Sequence, residues 1–150
     1  MDSIDIKILR ALNENARAKA SAISKQVNLS VSAVIERMHK LEDSGVITGY
    51  TALLDHKALG RDISAWLEVN LEHPKHFDHF TEKVQRLHNV LACYYLTGDF
   101  DFMLHVMASS SEELEAVHQK IKQMEGVCVT KTHIVLKEIK RNACLLPEIE

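Results

Sequence analysis

Three groups of side chains in this chain have the types and spacing to do chemistry. The first lies near the N-terminus: Lys25, Ser30, Ser32, Ala33, Glu36, Arg37 and Lys40. Val34, Met38 and Leu41 recur at spacings of four and three, an inward helical stripe, so Ser32, Ala33, Glu36, Arg37 and Lys40 face outward. Ser30 precedes that stripe, and its hydroxyl suits a cap that accepts a backbone N–H otherwise without a partner. Small side chains at the start of a helix let backbone approach a DNA major groove, and longer ones a turn later reach base edges. Arginine bonds guanine through two parallel hydrogen bonds, whereas lysine neutralises phosphate. This assigns sequence reading to Arg37 and affinity to Lys40 and Lys25.

The second group is Asp99 and Asp101 around Gly98. As an acid and base they lack a neighbouring nucleophile or glycine-rich cradle. Two readings stay open, a turn that satisfies backbone donors and a ligand contact. The third group is His73, His76 and His79, spaced by threes. No cysteine or third ligand accompanies them, and Cys93, Cys128 and Cys144 form no C-x-x-C pair, so neither a metal site, a disulfide framework nor a catalytic centre is expected. Reduced thiols in a cytoplasmic protein are the expectation.

The elements that must hold the first group read as a helix-turn-helix. Asp2 or Ser3 caps a first helix with Ile4, Ile8, Leu9 and Leu12 inward, ending before Asn13. A second spans roughly Ala20 to Gln26, and a third runs from Val31 to about Asp43, where Ser44-Gly45 stops it. Between them Val27-Asn28-Leu29 is the turn, because asparagine tolerates the left-handed backbone that a sharp connection needs. Val46 to Leu54, VITGYTALL, changes to a β-rich composition and is predicted to be a strand, with Gly49 a bulge or close-approach point.

Composition sets the bounds. The 150 residues, 46% hydrophobic and 26% charged, suit a soluble globular protein with one moderate core or two small ones. No apolar run is long enough to span a membrane, and nothing resembles a secretory leader. The net charge is −3, but residues 1–60 carry eight Lys/Arg against seven Asp/Glu and residues 61–150 ten against fourteen, so the halves are +1 and −4. An excess so small cannot provide tight DNA binding by bulk electrostatics. Dimerisation, which presents two reading heads to two half-sites, would compensate.

The second half repeats a pattern. Ile63–Leu71, Val90–Thr97, Phe100–Met107 and Val127–Leu136 have strand character, and His76–Leu87 and Ser111–Met124 have helical spacing. The order β-α-β-β-α-β gives a ferredoxin-like sheet with both helices on one face. Its other apolar face is most economically buried against a second copy, which predicts a sheet-to-sheet dimer. The domains are therefore 1–54, helix-turn-helix with a linking strand; 55–62, a polar connection; and 63–150, the ferredoxin-like domain.

At this level of detail the chain resembles the Lrp/AsnC family, the leucine-responsive and asparagine-synthesis transcription regulators. The resemblance is carried by IDIKIL at 4–9, LSVSAVIERMHKLEDSGVITGYTALLD at 29–55, TGDFDFML at 97–104 and GVCVTKTHIVLKEIK at 126–140, nearly the full length. It implies an α+β protein: a winged-type helix-turn-helix that binds double-stranded DNA, a linking strand that pairs across a dimer, and a βαββαβ, RAM-type domain. The last would bind a small effector, usually an amino acid, and assemble dimers into larger rings, often octamers, with no other cofactor. The effector would lie between dimers, near Thr97, Gly98, Asp99 and Asp101 and near Thr132, His133 and Ile134. An aspartate there would pair with the ammonium while backbone N–H groups around Gly98 bind the carboxylate. Two positions depart from the family pattern. Lys19 stands where a capping serine or threonine is common, at a cost of about 1 kcal/mol if nothing substitutes, and Asn28 replaces the usual turn glycine.

The same architecture is similar to that of the sirohaem decarboxylases, enzymes with a degenerate helix-turn-helix, and a sensor that has lost DNA binding is a further alternative. The capped helix with its basic residues favours the regulator.

Overall fold

The structure, a computed structural model, describes every residue except Ala143, Ile149 and Glu150. The chain divides into two compact units, Met1–Leu54 together with the described residues from Lys140 onward, and Asp55–Ile139.

In the first unit, α1 (Ser3–Glu14), α2 (Ala20–Val27) and α3 (Val31–Asp43) enclose a core of Ile8, Ala11, Leu12, Ile23, Val27, Val34 and Leu41, with Met38 packed against it. Asp2 caps α1, and Asp5 returns a bond to the Asp2 backbone N–H, a reciprocal box that satisfies the free donors of the first turn. The helix runs to Glu14, two residues beyond the expected end. Lys19 precedes α2 with no side-chain cap, as expected from its chemistry. Asn28 is the only non-glycine with positive φ among the described residues, at φ 54° and ψ 45°. The turn between α2 and α3 thus has the left-handed residue where the sequence places it. Gly45 follows α3 at φ +74° and lets the chain leave the helix.

Residues 46–54 are not a strand. Their backbone forms no ladder; Ile47 N–H bonds Leu41 O, and the Tyr50 hydroxyl donates to Glu42 at 2.8 Å. The composition favours extended chain, but a strand exists only where a second strand accepts its hydrogen bonds, and the protomer supplies none here. Gly49 meets no atom within 4 Å of an added Cβ, so it is not a close-approach point. The second domain is expected to run to 150, and the described residues from Lys140 onward cluster with the first unit. Cys144, Leu145 and Pro147 line a cavity of about 770 Å³ with Leu9, Leu12 and Tyr50 of the first unit.

The second unit is the antiparallel sheet of β1 (Ile63–Leu71), β2 (Val90–Tyr95), β3 (Phe102–Ala108) and β4 (Val127–Ile134), in the order β2-β3-β1-β4, with α4 (Phe77–Gln85) and α5 (Ser111–Lys122). The register sets Ala65 against Val106, Leu67 against Leu104 and Val69 against Phe102. Strand residues alternate between faces, so these side chains share one face and form a core with Phe80 and Val84 of α4 and Leu114, Val117 and Ile121 of α5. The opposite face carries Trp66, stacked on His105 with centroids 4.5 Å apart.

Several ends differ from expectation. The helix expected from His76 begins as a short 3₁₀ turn, Pro74–His76, because proline fits a first helical position. β2 stops at Tyr95 and β3 starts at Phe102, since the Thr97–Asp101 turn takes the chain off the ladder over more residues than side-chain alternation suggests, and β4 stops at Ile134. His76 is buried. Its ring lies 3.2 Å from Glu72 and 3.6 Å from Glu125, and no group of three metal-binding side chains occurs among the described residues.

Candidate nucleic-acid interface and effector region

The reading helix begins where the sequence places it. The Ser30 hydroxyl accepts the Ala33 N–H at 3.2 Å and lies 3.1 Å from the Ser32 hydroxyl. Val34 and Leu41 are buried on the inner side, while Ser32, Glu36 and Lys40 are exposed, as is Lys25 on α2; Ala33 is partly buried.

Arg37 departs from its expected place. It is partly buried and turned toward α1, where its guanidinium donates to Asp5 at 2.6 Å and to Asp2 at 2.8 Å. Both bonds hold the guanidinium above its ordinary pKa, Asp5 contributing more. Asp2 is held below the usual carboxylate range by the Asp5 backbone N–H and then by Arg37. On a helical wheel Arg37 lies on the flank of α3, a position that spacing alone counts as outward but that tertiary packing fills with the start of α1. Lys40 pairs with Glu36 four residues earlier at 2.7 Å, and this partner holds Glu36 below its usual pKa. An exposed pair of this kind is weak, so Lys40 can exchange Glu36 for phosphate.

Sequence reasoning missed two residues on the same surface. Ile35 and His39 are exposed and share the outermost line of α3 with Ser32 and Glu36. Turning by about 100° per residue from the buried stripe would have found them.

In the second unit, Thr97–Asp101 closes the β2–β3 hairpin, with Leu96 N–H bonded to Asp101 O and Gly98 at φ +120°. Asp101 faces its own protein: its carboxylate accepts the Leu71 N–H at 2.8 Å, and its N–H donates to the Asn70 side chain. The Asn70 amide donates to the Asp99 carbonyl at 2.8 Å, fastening the turn to the end of β1. The Asp99 side chain is exposed and forms no hydrogen bond among the described residues. Thr132, His133 and Ile134 are exposed on β4 opposite Leu67, Trp66 and Ala65. The His133 ring lies 3.2 Å from Glu68. The two halves of the expected effector site are therefore not brought together within one protomer. From Leu71 to Leu67 the strand rises about 13 Å.

The sequence pattern of the AsnC-type helix-turn-helix domain matches residues 1–42, and that of the Lrp/AsnC ligand binding domain matches residues 64–145. The chain belongs to the Lrp/AsnC family. Like other members named as transcription regulators, it joins a helix-turn-helix unit to a four-stranded antiparallel sheet with helices. It is 34% identical to the leucine-responsive regulatory protein of Haemophilus influenzae over 97% of this chain and 90% of that protein. Among solved Lrp/AsnC-type structures, a Neisseria meningitidis transcriptional regulator in complex with L-Met superposes with a TM-score of 0.93 at 31% identity, covering 97% of this chain and 96% of that one. The feast or famine regulatory protein of M. tuberculosis complexed with L-methionine gives 0.90 at 30% identity, covering 97% and 99%. No helix among the described residues is long and apolar enough to cross a membrane.

Proposed function

We propose that this Lrp/AsnC-family regulator reads operator half-sites in double-stranded DNA through the exposed face of α3, and that its ferredoxin-like unit takes an amino-acid effector. The observation that carries the reading is the arrangement around Asn28. One left-handed residue and the Ser30 cap set α3 so that its core stripe is buried while Ser32, Ile35, Glu36 and His39 stand in solvent. In this reading Ser30, Ser32 and Ala33 bring the backbone close to the groove, Glu36 meets base edges, Lys25 and Lys40 contact phosphate, and Arg37 braces α3 against α1.

Self-association completes both sites. The sheet face away from α4 and α5 presents Trp66, His105 and Tyr94, and it holds Glu68 Oε2, a buried oxygen without a hydrogen-bond partner. A second copy packed on this face would cover the rings and bring a donor to Glu68. The Thr97–Asp101 turn and Thr132, His133 and Ile134, far apart in one protomer, would then meet across copies in a larger ring. Asp99 has the free carboxylate for an effector's ammonium, and the L-methionine bound by two similar proteins supports an amino acid as the ligand.

The test is selection of bound fragments from genomic DNA, followed by titration of the selected fragment against salt and amino acids. A regulator gives specific binding that falls steeply with salt. Failure to enrich any fragment over bulk DNA would refute the reading. A protein-dependent shift in the visible absorption of added sirohaem would favour the decarboxylase-like alternative.

A further inference from the structure

The outer line of α3 has a property that its charged neighbours hide. Arg37 is tied to Asp2 and Asp5, and Lys40 is tied to Glu36. Arg37 is thus engaged and Lys40 suits phosphate, and beside Glu36 the second turn exposes an apolar side chain. Ile35 is 41% exposed, and Val31, one turn earlier, is exposed to the same degree. Residues four apart stack along one side of a helix, so the two branched side chains make a continuous apolar strip beside Ser32, Glu36 and His39. Branched residues are poorer helix formers than the unbranched ones that suit a solvated position, yet both of these are exposed.

We infer that Ile35, supported by Val31, is a specificity-determining residue that recognises thymine through its 5-methyl group. This inference rests on the DNA-reading assignment of α3. Of the four bases, thymine alone presents a methyl in the major groove, and an apolar side chain is the group that gains by covering it. The first two turns of a recognition helix reach base edges, and Ile35 lies in the second. Cytosine carries a hydrogen in place of that methyl, so the strip discriminates between pyrimidines without a hydrogen bond. Glu36 beside it would accept from a cytosine amino group, which assigns the two pyrimidines to two adjacent side chains.

The experiment uses the full chain and the operator recovered by genomic selection. Each thymine is replaced in turn by deoxyuridine, which removes only the methyl, and affinity is measured for the wild type and for Ile35→Ala. Burial of one methyl corresponds to about a fourfold change in affinity. The wild type should lose about that factor at one symmetry-related position in each half-site, and Ile35→Ala should be indifferent to the same replacement. Because alanine favours helix and Ile35 lies outside the core, the variant keeps its fold, which an unchanged melting temperature and circular dichroism spectrum verify. Restoring the methyl as 5-methylcytosine at that position should recover wild-type affinity relative to cytosine there. Specific binding that ignores every uracil overturns the inference and leaves the DNA-reading assignment intact. A uracil effect that persists in Ile35→Ala also overturns it. If the wild type selects no operator at all, both fall.

Discussion

The guanidinium of Arg37 stands 2.6 Å from the carboxylate of Asp5, joining the reading helix to the first turn of α1. Asp2 accepts from the same guanidinium nitrogen, so Arg37 links α3 to the start of α1. Arg37→Ala should therefore lower the melting temperature by roughly 5 °C. It should weaken all operators to a similar degree, with no relaxation at a single base position. Operator selection with the variant distinguishes the roles, since loss of one base preference at unchanged stability would restore Arg37 as a reader.

Substitutions at Asp99 and Asp101 would separate the proposed effector contact from turn construction. Asp101→Ala leaves the Leu71 N–H without its acceptor and should destabilise the second unit by about 1 kcal/mol in urea unfolding. Asp99→Ala removes no bond and should leave stability unchanged while abolishing the thermal shift given by the amino acid that the wild type binds. A shift that survives Asp99→Ala would remove this residue from the effector site.

Gly126 lies at φ +82°, and an added Cβ would stand 2.2 Å from the buried ring of His76. Neither atom has room to move, because His76 is held between Glu72 and Glu125. Gly126→Ala should cost roughly 2–4 kcal/mol, read as a lower denaturation midpoint.

Glu113 accepts hydrogen bonds from the Ser109 hydroxyl and N–H, from Arg61 and from Asn89, and these hold its carboxyl well below the usual carboxylate range. Its folded pKa is depressed, so its contribution to stability is present above about pH 4.5, the unfolded value, and is lost as pH falls toward the folded one. Glu113→Gln should unfold more readily at pH 7 and show a shallower fall of melting temperature below pH 4.5. An unchanged acid slope would count against this role.

Trp66 stacks on His105 and lies beside Tyr94 on the sheet face away from α4 and α5. Trp66→Ala should shift the protein toward smaller species in sedimentation velocity while circular dichroism stays unchanged. A wild type that sediments as a monomer at tens of micromolar would refute the sheet-to-sheet pairing.

What could be read from the sequence divides along the range of the forces involved. Asn28, Ser30 and the Val34–Met38–Leu41 stripe act through neighbours a few residues away, and α2 ends and α3 begins where those residues direct. Alternation in Ile63–Leu71 likewise fixes which side of β1 is buried. Other features depend on partners that spacing does not reveal. Residues 46–54 have strand composition but no ladder in the protomer, Arg37 meets carboxylates thirty-two and thirty-five residues earlier, and His76 is buried by a glycine fifty residues later. Ile35 was legible by angle but was obscured by the charged residues that follow it.

The length of β1 between Leu67 and Leu71 has one more consequence. On the proposed reading, a small molecule that must touch both the hairpin turn and the last strand would find its full set of contacts only where protomers have already gathered. Mass action would then make occupancy depend on how abundant the protein is as well as on ligand concentration, and ligand would in turn favour the gathered form. Such a sensor would answer sluggishly when scarce and sharply when plentiful, with its threshold adjusted by its own expression.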